Sequence, residues 1–136
     1  MSSQAKIAGS VVAGFPSPAE QYLEPPLDLN AFLVKRPAAT YFVRVEGESM
    51  SGAGIHDGDL LVVDRSITPV SGDIIIAAVD GEFTVKRLRI DPPSAANGGR
   101  RKVSLVAENP AYPPIVMSGM SCLRSFGKVT ALIHRF

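Results

Sequence analysis

At 136 residues the chain suits one domain with a real hydrophobic core and leaves little room for a second. Hydrophobic residues at 46% and charged residues at 20% mark a globular composition, and 12 glycines with 11 prolines tilt it toward β-structure rich in turns. A net charge of +1 gives no overall electrostatic case for nucleic-acid or membrane binding, and the lone Cys122 excludes an internal disulfide, which fits a reducing, cytoplasmic compartment.

The N-terminus has the outline of a weak signal peptide: Lys6, then a mildly apolar Ile7 to Ala13 that ends in Val11-x-Ala13. Gly9 and Ser10 interrupt that run, and Gly14 follows it directly, so export is not the favoured reading. No stretch approaches the ~20 apolar residues that a membrane span needs. Residues 1 to about 38 lack periodicity and carry Pro16, Pro18, Pro25 and Pro26, which predicts an extended arm. One short turn of helix is expected around Asp28 to Val34, with Asp28 as its cap.

Strand signals then follow in series. Thr40–Val45 is the first, and Leu60–Val63 is the second, entered through an Asp57-Gly58 turn. Ile74–Val79 is a continuous apolar run, long enough for a strand buried on both faces. Asp80-Gly81 between two β-rich runs is a strong hairpin signal and pairs Ile74–Val79 with Phe83–Ile90. Asp91-Pro92-Pro93 is expected to end that strand, with a flexible loop over Ser94–Lys102. Val103–Ala107 and Gly127–His134 supply two further strands. The expected fold is therefore mainly β, mostly antiparallel, with six or so strands behind a long N-terminal arm. Lys86-Arg87-Leu88-Arg89 and Arg100-Arg101-Lys102 are short basic groups that read as solvated strand and loop charges.

One segment has the composition of a reactive site. In Val45-Glu46-Gly47-Glu48-Ser49-Met50-Ser51-Gly52-Ala53-Gly54 a serine lies just past a strand end among three glycines, which let a peptide backbone approach closely. A serine hydroxyl is a poor nucleophile without a proton acceptor. His56 is in a Gly/Asp turn and His134 is two residues from the terminus, so both read better as structural or surface residues than as the base. The other solution is a neutral lysine, whose pKa burial must pull down from about 10.4. Lys6, Lys35, Lys102 and Lys128 have polar or terminal settings, whereas Lys86 lies mid-strand and shares a face with Thr84, Leu88 and Ile90. Lysine is seldom fully buried, so alternation alone favours an outward-facing Lys86. No His/Cys cluster suggests a metal, and no cofactor is expected.

Three ordered segments change that balance: Gly47-Glu48-Ser49-Met50, Asp57-Gly58-Asp59-Leu60, and Gly81-Glu82-Phe83-Thr84-Val85-Lys86-Arg87-Leu88. Together they resemble the self-cleaving LexA/UmuD family of serine–lysine peptidases. Gly14-Phe15-Pro16-Ser17-Pro18-Ala19, Ala38–Val43 and Gly72-Asp73-Ile74 resemble the UmuD-type branch in particular, and the similarity runs from about Gly14 to the C-terminus. The resemblance implies a catalytic domain of curved, mostly antiparallel sheets. It implies Ser49 as nucleophile, Lys86 as general base, Ala13-Gly14 as the bond cut, and the backbone N–H groups of Ser49 and Glu48 as oxyanion donors. Residues 1–13 would be removed, 14–38 would form the arm, and 39–136 the peptidase domain.

The same resemblance implies cleavage stimulated by a RecA–single-stranded DNA filament during the SOS response. The processed homodimer would be an accessory subunit of an error-prone translesion polymerase, with a UmuC-like Y-family subunit as partner and the sliding clamp as a further candidate. With Ser49 so near the start, no helix-turn-helix domain is expected, hence no direct sequence-specific DNA binding; no membrane association is expected either. Rival readings are a polymerase-binding module that no longer cuts, a phage-repressor-type self-cleaving fragment, and a signal peptidase, which would need a membrane anchor.

Overall fold

The computed structural model describes residues 5–7, 9–11, 13–15, 25–117 and 123–136. The chain divides into two compact units, residues 1–35 and 36–136. In the first, β1 (Ala5–Lys6) pairs antiparallel with β2 (Pro26–Leu27). Helix α1 (Leu29–Leu33) follows, and the Asp28 carboxylate accepts the Ala31 N–H at 3.2 Å, as its composition predicts. The β1–β2 pair was not expected, because two-residue strands leave no periodic trace.

The second unit is one seven-stranded sheet in which every neighbouring pair is antiparallel. Its strands are β3 (Thr40–Arg44), β4 (Leu60–Asp64), β5 (Ile74–Val79), β6 (Glu82–Ser94), β7 (Arg100–Val106), β8 (Ile115–Met117) and β9 (Leu123–Ile133). They lie in the order β3-β4-β9-β5-β6-β7-β8. The long C-terminal strand β9 thus sits between β4 and β5 and joins the two halves.

The Ile74–Val79 run is buried on both faces because two separate cores meet there. Ile76 packs with Val45, Met50, Ile55, Leu61 and Val63. Ile75 and Ala77, on the opposite face, pack with Leu88 and Leu105. At the hairpin Asp80 and Gly81 have φ of +50° and +85°, so both central residues take the left-handed region that matches the twist of β5 and β6.

Two expectations fail in the β6–β7 region. Pro92-Pro93 does not end β6, which continues to Ser94, and Arg100–Lys102 is strand rather than loop. The ladder runs from Asp91↔Lys102 to Ser94↔Arg100 with a register shift between, so the prolines occupy the irregularity, where no ladder N–H is required. The expected loop shrinks to a tight turn through Ala95–Asn97 and Gly98-Gly99. Strand β8 was not expected either, since it is three residues long and follows Pro113-Pro114. The lone Cys122 lies outside the described residues. Among the described residues no helix is long and apolar enough to cross a membrane, and no His/Cys/Asp/Glu cluster is arranged to hold a metal ion.

Candidate active site

Between β3 and β4 the chain folds into a loop whose base is closed by two backbone hydrogen bonds, Val45 N–H to Asp59 O and Gly58 N–H to Val45 O, each at 2.8 Å. Met50 and Ile55, 1% and 3% exposed, anchor the loop in the core on either side of the 3-10 turn Ser51–Ala53. Polar contacts brace the outer side. The Asp57 carboxylate accepts the Gly47 N–H at 2.7 Å, and the Glu48 carboxylate accepts the Asp57 N–H at 3.3 Å. With Met50 locked below and these bonds above, Ser49 has little backbone freedom.

A second segment, the chain leaving β7, clasps this loop. Glu108 donates its N–H to Ser49 O at 2.9 Å and accepts the Gly52 N–H at 2.6 Å. The Asn109 side-chain amide donates to Glu48 O at 2.9 Å. Strand β7 pairs with β6 only from Arg87 onward, so it has already departed by Lys86 and its continuation is free to reach the Ser49 loop.

Lys86 is 8% exposed, and its Nζ lies 3.0 Å from Ser49 Oγ. The same amine donates to Thr84 Oγ1 at 2.7 Å and to Val85 O at 3.1 Å. Burial lowers the Lys86 pKa below the ordinary lysine range, because desolvation penalises the ammonium. A neutral amine has two hydrogens and one lone pair. In the neutral form, hydrogens directed at Thr84 and Val85 would leave the lone pair facing the Ser49 hydroxyl.

Both residues open into a cleft of about 400 Å³, walled by Val43, Val45, Ile76, Phe83, Val85 and Tyr112 and rimmed by the Gly47–Ser49 backbone. Among the described residues, the N–H groups of Ser49 and Glu48 have no hydrogen-bond acceptor. Both are therefore free to serve an incoming oxygen. The histidines are engaged elsewhere: His56 Nδ1 is 3.1 Å from Glu48 Oε2, and His134 Nδ1 is 2.5 Å from Asp59 Oδ1.

Ser49, Lys86 and Glu48 thus meet in one place, within the unit 36–136. Ala13 and Gly14 belong to the unit 1–35 and are exposed there, between Val11 at 96% and Phe15 at 93% exposure. Gly14 has φ of +138°, a conformation that favours glycine, and a Cβ added there would meet nothing within 4 Å. Thr84, Glu108 and Asn109 carry no functional signal in the sequence pattern. Strand alternation placed Thr84 beside Lys86, but only the fold shows it as an acceptor. Asn109 before Pro110 reads simply as a turn.

The chain matches the family described as Peptidase S24-like over residues 6–130. It is 51% identical over 123 residues to Protein SamA of Salmonella typhimurium, covering 90% of this chain and 79% of that protein. It is 50% identical over 123 residues to Protein ImpA of Escherichia coli, covering 90% and 78%. Protein MucA of Escherichia coli is 54% identical over 82 residues, covering 60% of this chain and 56% of that protein. A family match across nearly the whole sequence, with relatives at this level of identity, shows that the chain belongs to the Peptidase S24-like family of self-cleaving serine peptidases, as a UmuD-type protein of SOS mutagenesis.

Proposed function

We propose that this protein cuts its own Ala13–Gly14 bond, with Ser49 as nucleophile and Lys86 as general base. The observation that carries this reading is the 3.0 Å approach of Lys86 Nζ to Ser49 Oγ in a setting that favours the neutral amine. The Ser49 proton passes to the Lys86 lone pair as Oγ attacks the Ala13 carbonyl carbon. The carbonyl oxygen becomes an oxyanion held by the N–H groups of Ser49 and Glu48; each such donor contributes about 2.7–4 kcal/mol. Lys86 then gives its proton to the Gly14 nitrogen as the peptide bond breaks, leaving an acyl-serine and a new N-terminus at Gly14. A water molecule, losing a proton to Lys86, hydrolyses the acyl-serine and restores the Ser49 hydroxyl.

Small residues suit this bond: Ala13 needs only a shallow pocket, and the positive φ of Gly14 lets the chain bend there. Gly14 and Ser49 are 35 residues apart. Fully extended, that segment reaches at most roughly 120 Å, so length permits cutting within one chain or between two.

The site works once, as a switch. Cleavage removes residues 1–13, and stimulation comes from a RecA–single-stranded DNA filament. The product, residues 14–136, acts as a homodimeric accessory subunit of an error-prone translesion polymerase, with a UmuC-like Y-family subunit as its partner. Family membership and the similarity to SamA, ImpA and MucA support this wider role.

The test is fragment mass after incubation at about pH 10, where lysine deprotonates readily, and separately at neutral pH with RecA filaments and nucleotide. The expected product begins at Gly14 and is absent from Ser49→Ala and Lys86→Ala. An unmodified protein that stays whole under both conditions contradicts the proposal.

A further inference from the structure

The oxyanion donor needs its own support. An N–H group stabilises a developing charge only if it already points at the right place, because reorienting it during reaction forfeits much of the gain. The Ser49 N–H belongs to the Glu48–Ser49 peptide. That unit is planar and trans, so its C=O and N–H point in opposite directions. Whatever holds the Glu48 carbonyl therefore aims the Ser49 N–H.

We propose that Asn109 is the positioning residue for this donor: its side-chain amide grips the Glu48 carbonyl from behind and keeps the Ser49 N–H turned into the cleft. The inference rests on the Ser49–Lys86 reading above.

Four observations carry it. Asn109 Nδ2 lies 2.9 Å from Glu48 O, closer than the carbonyl's other donor, the Ser51 N–H at 3.2 Å. The amide orientation is fixed by its other end, since Asn109 Oδ1 accepts the Ala111 N–H at 3.0 Å. Flipping the amide would set oxygen against the Glu48 carbonyl and NH2 against an N–H, losing both bonds. The Asn109 backbone is held as well: its carbonyl accepts the Tyr112 N–H at 3.0 Å, and Pro110 restricts the residue before it to extended conformations. Finally, the neighbouring Glu108 N–H binds Ser49 O at 2.9 Å, so both peptide planes flanking the nucleophile are held from one short segment.

Without the Asn109 amide, the Glu48–Ser49 plane keeps only the longer Ser51 bond and can rock about its axis. The nucleophile and the base would keep their contact, because Lys86 is held by Thr84 and Val85, which Asn109 does not touch. The signature is therefore specific: the rate of the chemical step falls while the ionisation that governs it stays in place.

The experiment follows first-order self-cleavage of the full chain across pH for the unmodified protein, Asn109→Ala and Asn109→Asp, with thermal unfolding of each. Asn109→Asp retains an oxygen for the Ala111 N–H and so keeps the turn, but has no donor for Glu48 O. The expected result is a plateau rate lower by about 10- to 100-fold in both variants, with the pH midpoint unmoved in the uncharged Asn109→Ala. Asn109→Asp should unfold somewhat below the unmodified protein, because it loses one hydrogen bond and sets an oxygen against the Glu48 carbonyl, yet stay folded at the assay temperature. If Asn109→Ala unfolds early, Asn109→Asp decides. Cleavage by Asn109→Asp within twofold of the unmodified rate overturns the inference. So does a slower Asn109→Ala rate accompanied by a displaced midpoint, which would place the effect on Lys86. If the unmodified protein fails to cleave at every pH, the dyad reading itself is wrong, an outcome distinct from either.

Discussion

Replacing Gly52 by alanine adds a single carbon where the loop carrying Ser49 meets the segment after β7. A Cβ at Gly52 would lie 2.2 Å from Glu108 O and 3.2 Å from Glu108 C. Gly52 is not among the positive-φ glycines, so the strain comes from space and not from the backbone conformation. The atom struck is main chain, which has no rotamer to move. Relief requires the two segments to part by about 1 Å, and overpacking of that kind costs about 1–3 kcal/mol.

The functional consequence follows from what Glu108 and Asn109 hold. The displaced segment carries the N–H that binds Ser49 O and the amide that binds Glu48 O. A misplacement near 1 Å at reacting groups slows chemistry by about 100-fold. Urea unfolding reports the first effect, and the self-cleavage rate at high pH reports the second. Gly54→Ala is the control. Gly54 has φ of +81° but open space around a would-be Cβ, so its alanine variant should lose about 1 kcal/mol or somewhat more through backbone strain. Its cleavage rate should be affected far less. A Gly52→Ala protein with an unchanged urea midpoint and a cleavage rate within twofold of the original would show that the Gly52–Glu108 contact does not hold the site.

Two further predictions concern pH. Because burial depresses the Lys86 pKa, the unfolded chain binds more protons than the native one between the native value and about 10.4, and native stability rises with pH across that window. Lys86→Met removes the penalty, so it should stabilise the protein at neutral pH by about 1.4 kcal/mol per unit of depression. The gain should fade toward pH 10.4, and equal urea-midpoint shifts at both pH values would contradict this. At Asp59 the lowered pKa reflects stabilisation and not a penalty: the His56 N–H, then the His134 side chain, hold its carboxyl below the usual carboxylate range. Its contribution is complete above about pH 3.9 and disappears as pH falls through the native value. Asp59→Asn should therefore lower the melting temperature at neutral pH and converge with the unmodified protein in acid; a gap that persists in acid would contradict this.

Most of the sheet was legible because its strands are long, apolar and bounded by turn residues. Ile74–Val79 and its Asp80-Gly81 turn appear where the pattern places them. Pro92-Pro93 misled because a proline stops a strand only where a ladder N–H is needed, and a register shift removes that need. Strand β8 was hidden because a three-residue strand is defined by its partner, β7, and not by its own sequence. At the site, the sequence marked Ser49 by its glycines and offered Lys86 as one lysine in an apolar strand. Neither alternation nor composition says that its amine turns inward, which depends on Thr84, Val85 and the Ser49 loop arriving from 37 residues away. Asn109 escaped notice for the same reason, since its partner Glu48 is 61 residues distant.

If a neutral Lys86 takes the proton of Ser49, the pH dependence of self-cleavage reports that ionisation. The first-order rate of the Ala13–Gly14 cut should rise with pH as a single ionisation, with a midpoint below about 10.4, and then level off. In Lys86→Ala it should be absent at every pH. A rate that keeps climbing with hydroxide concentration through that value without a plateau, or cleavage that survives in Lys86→Ala, would contradict that proton transfer.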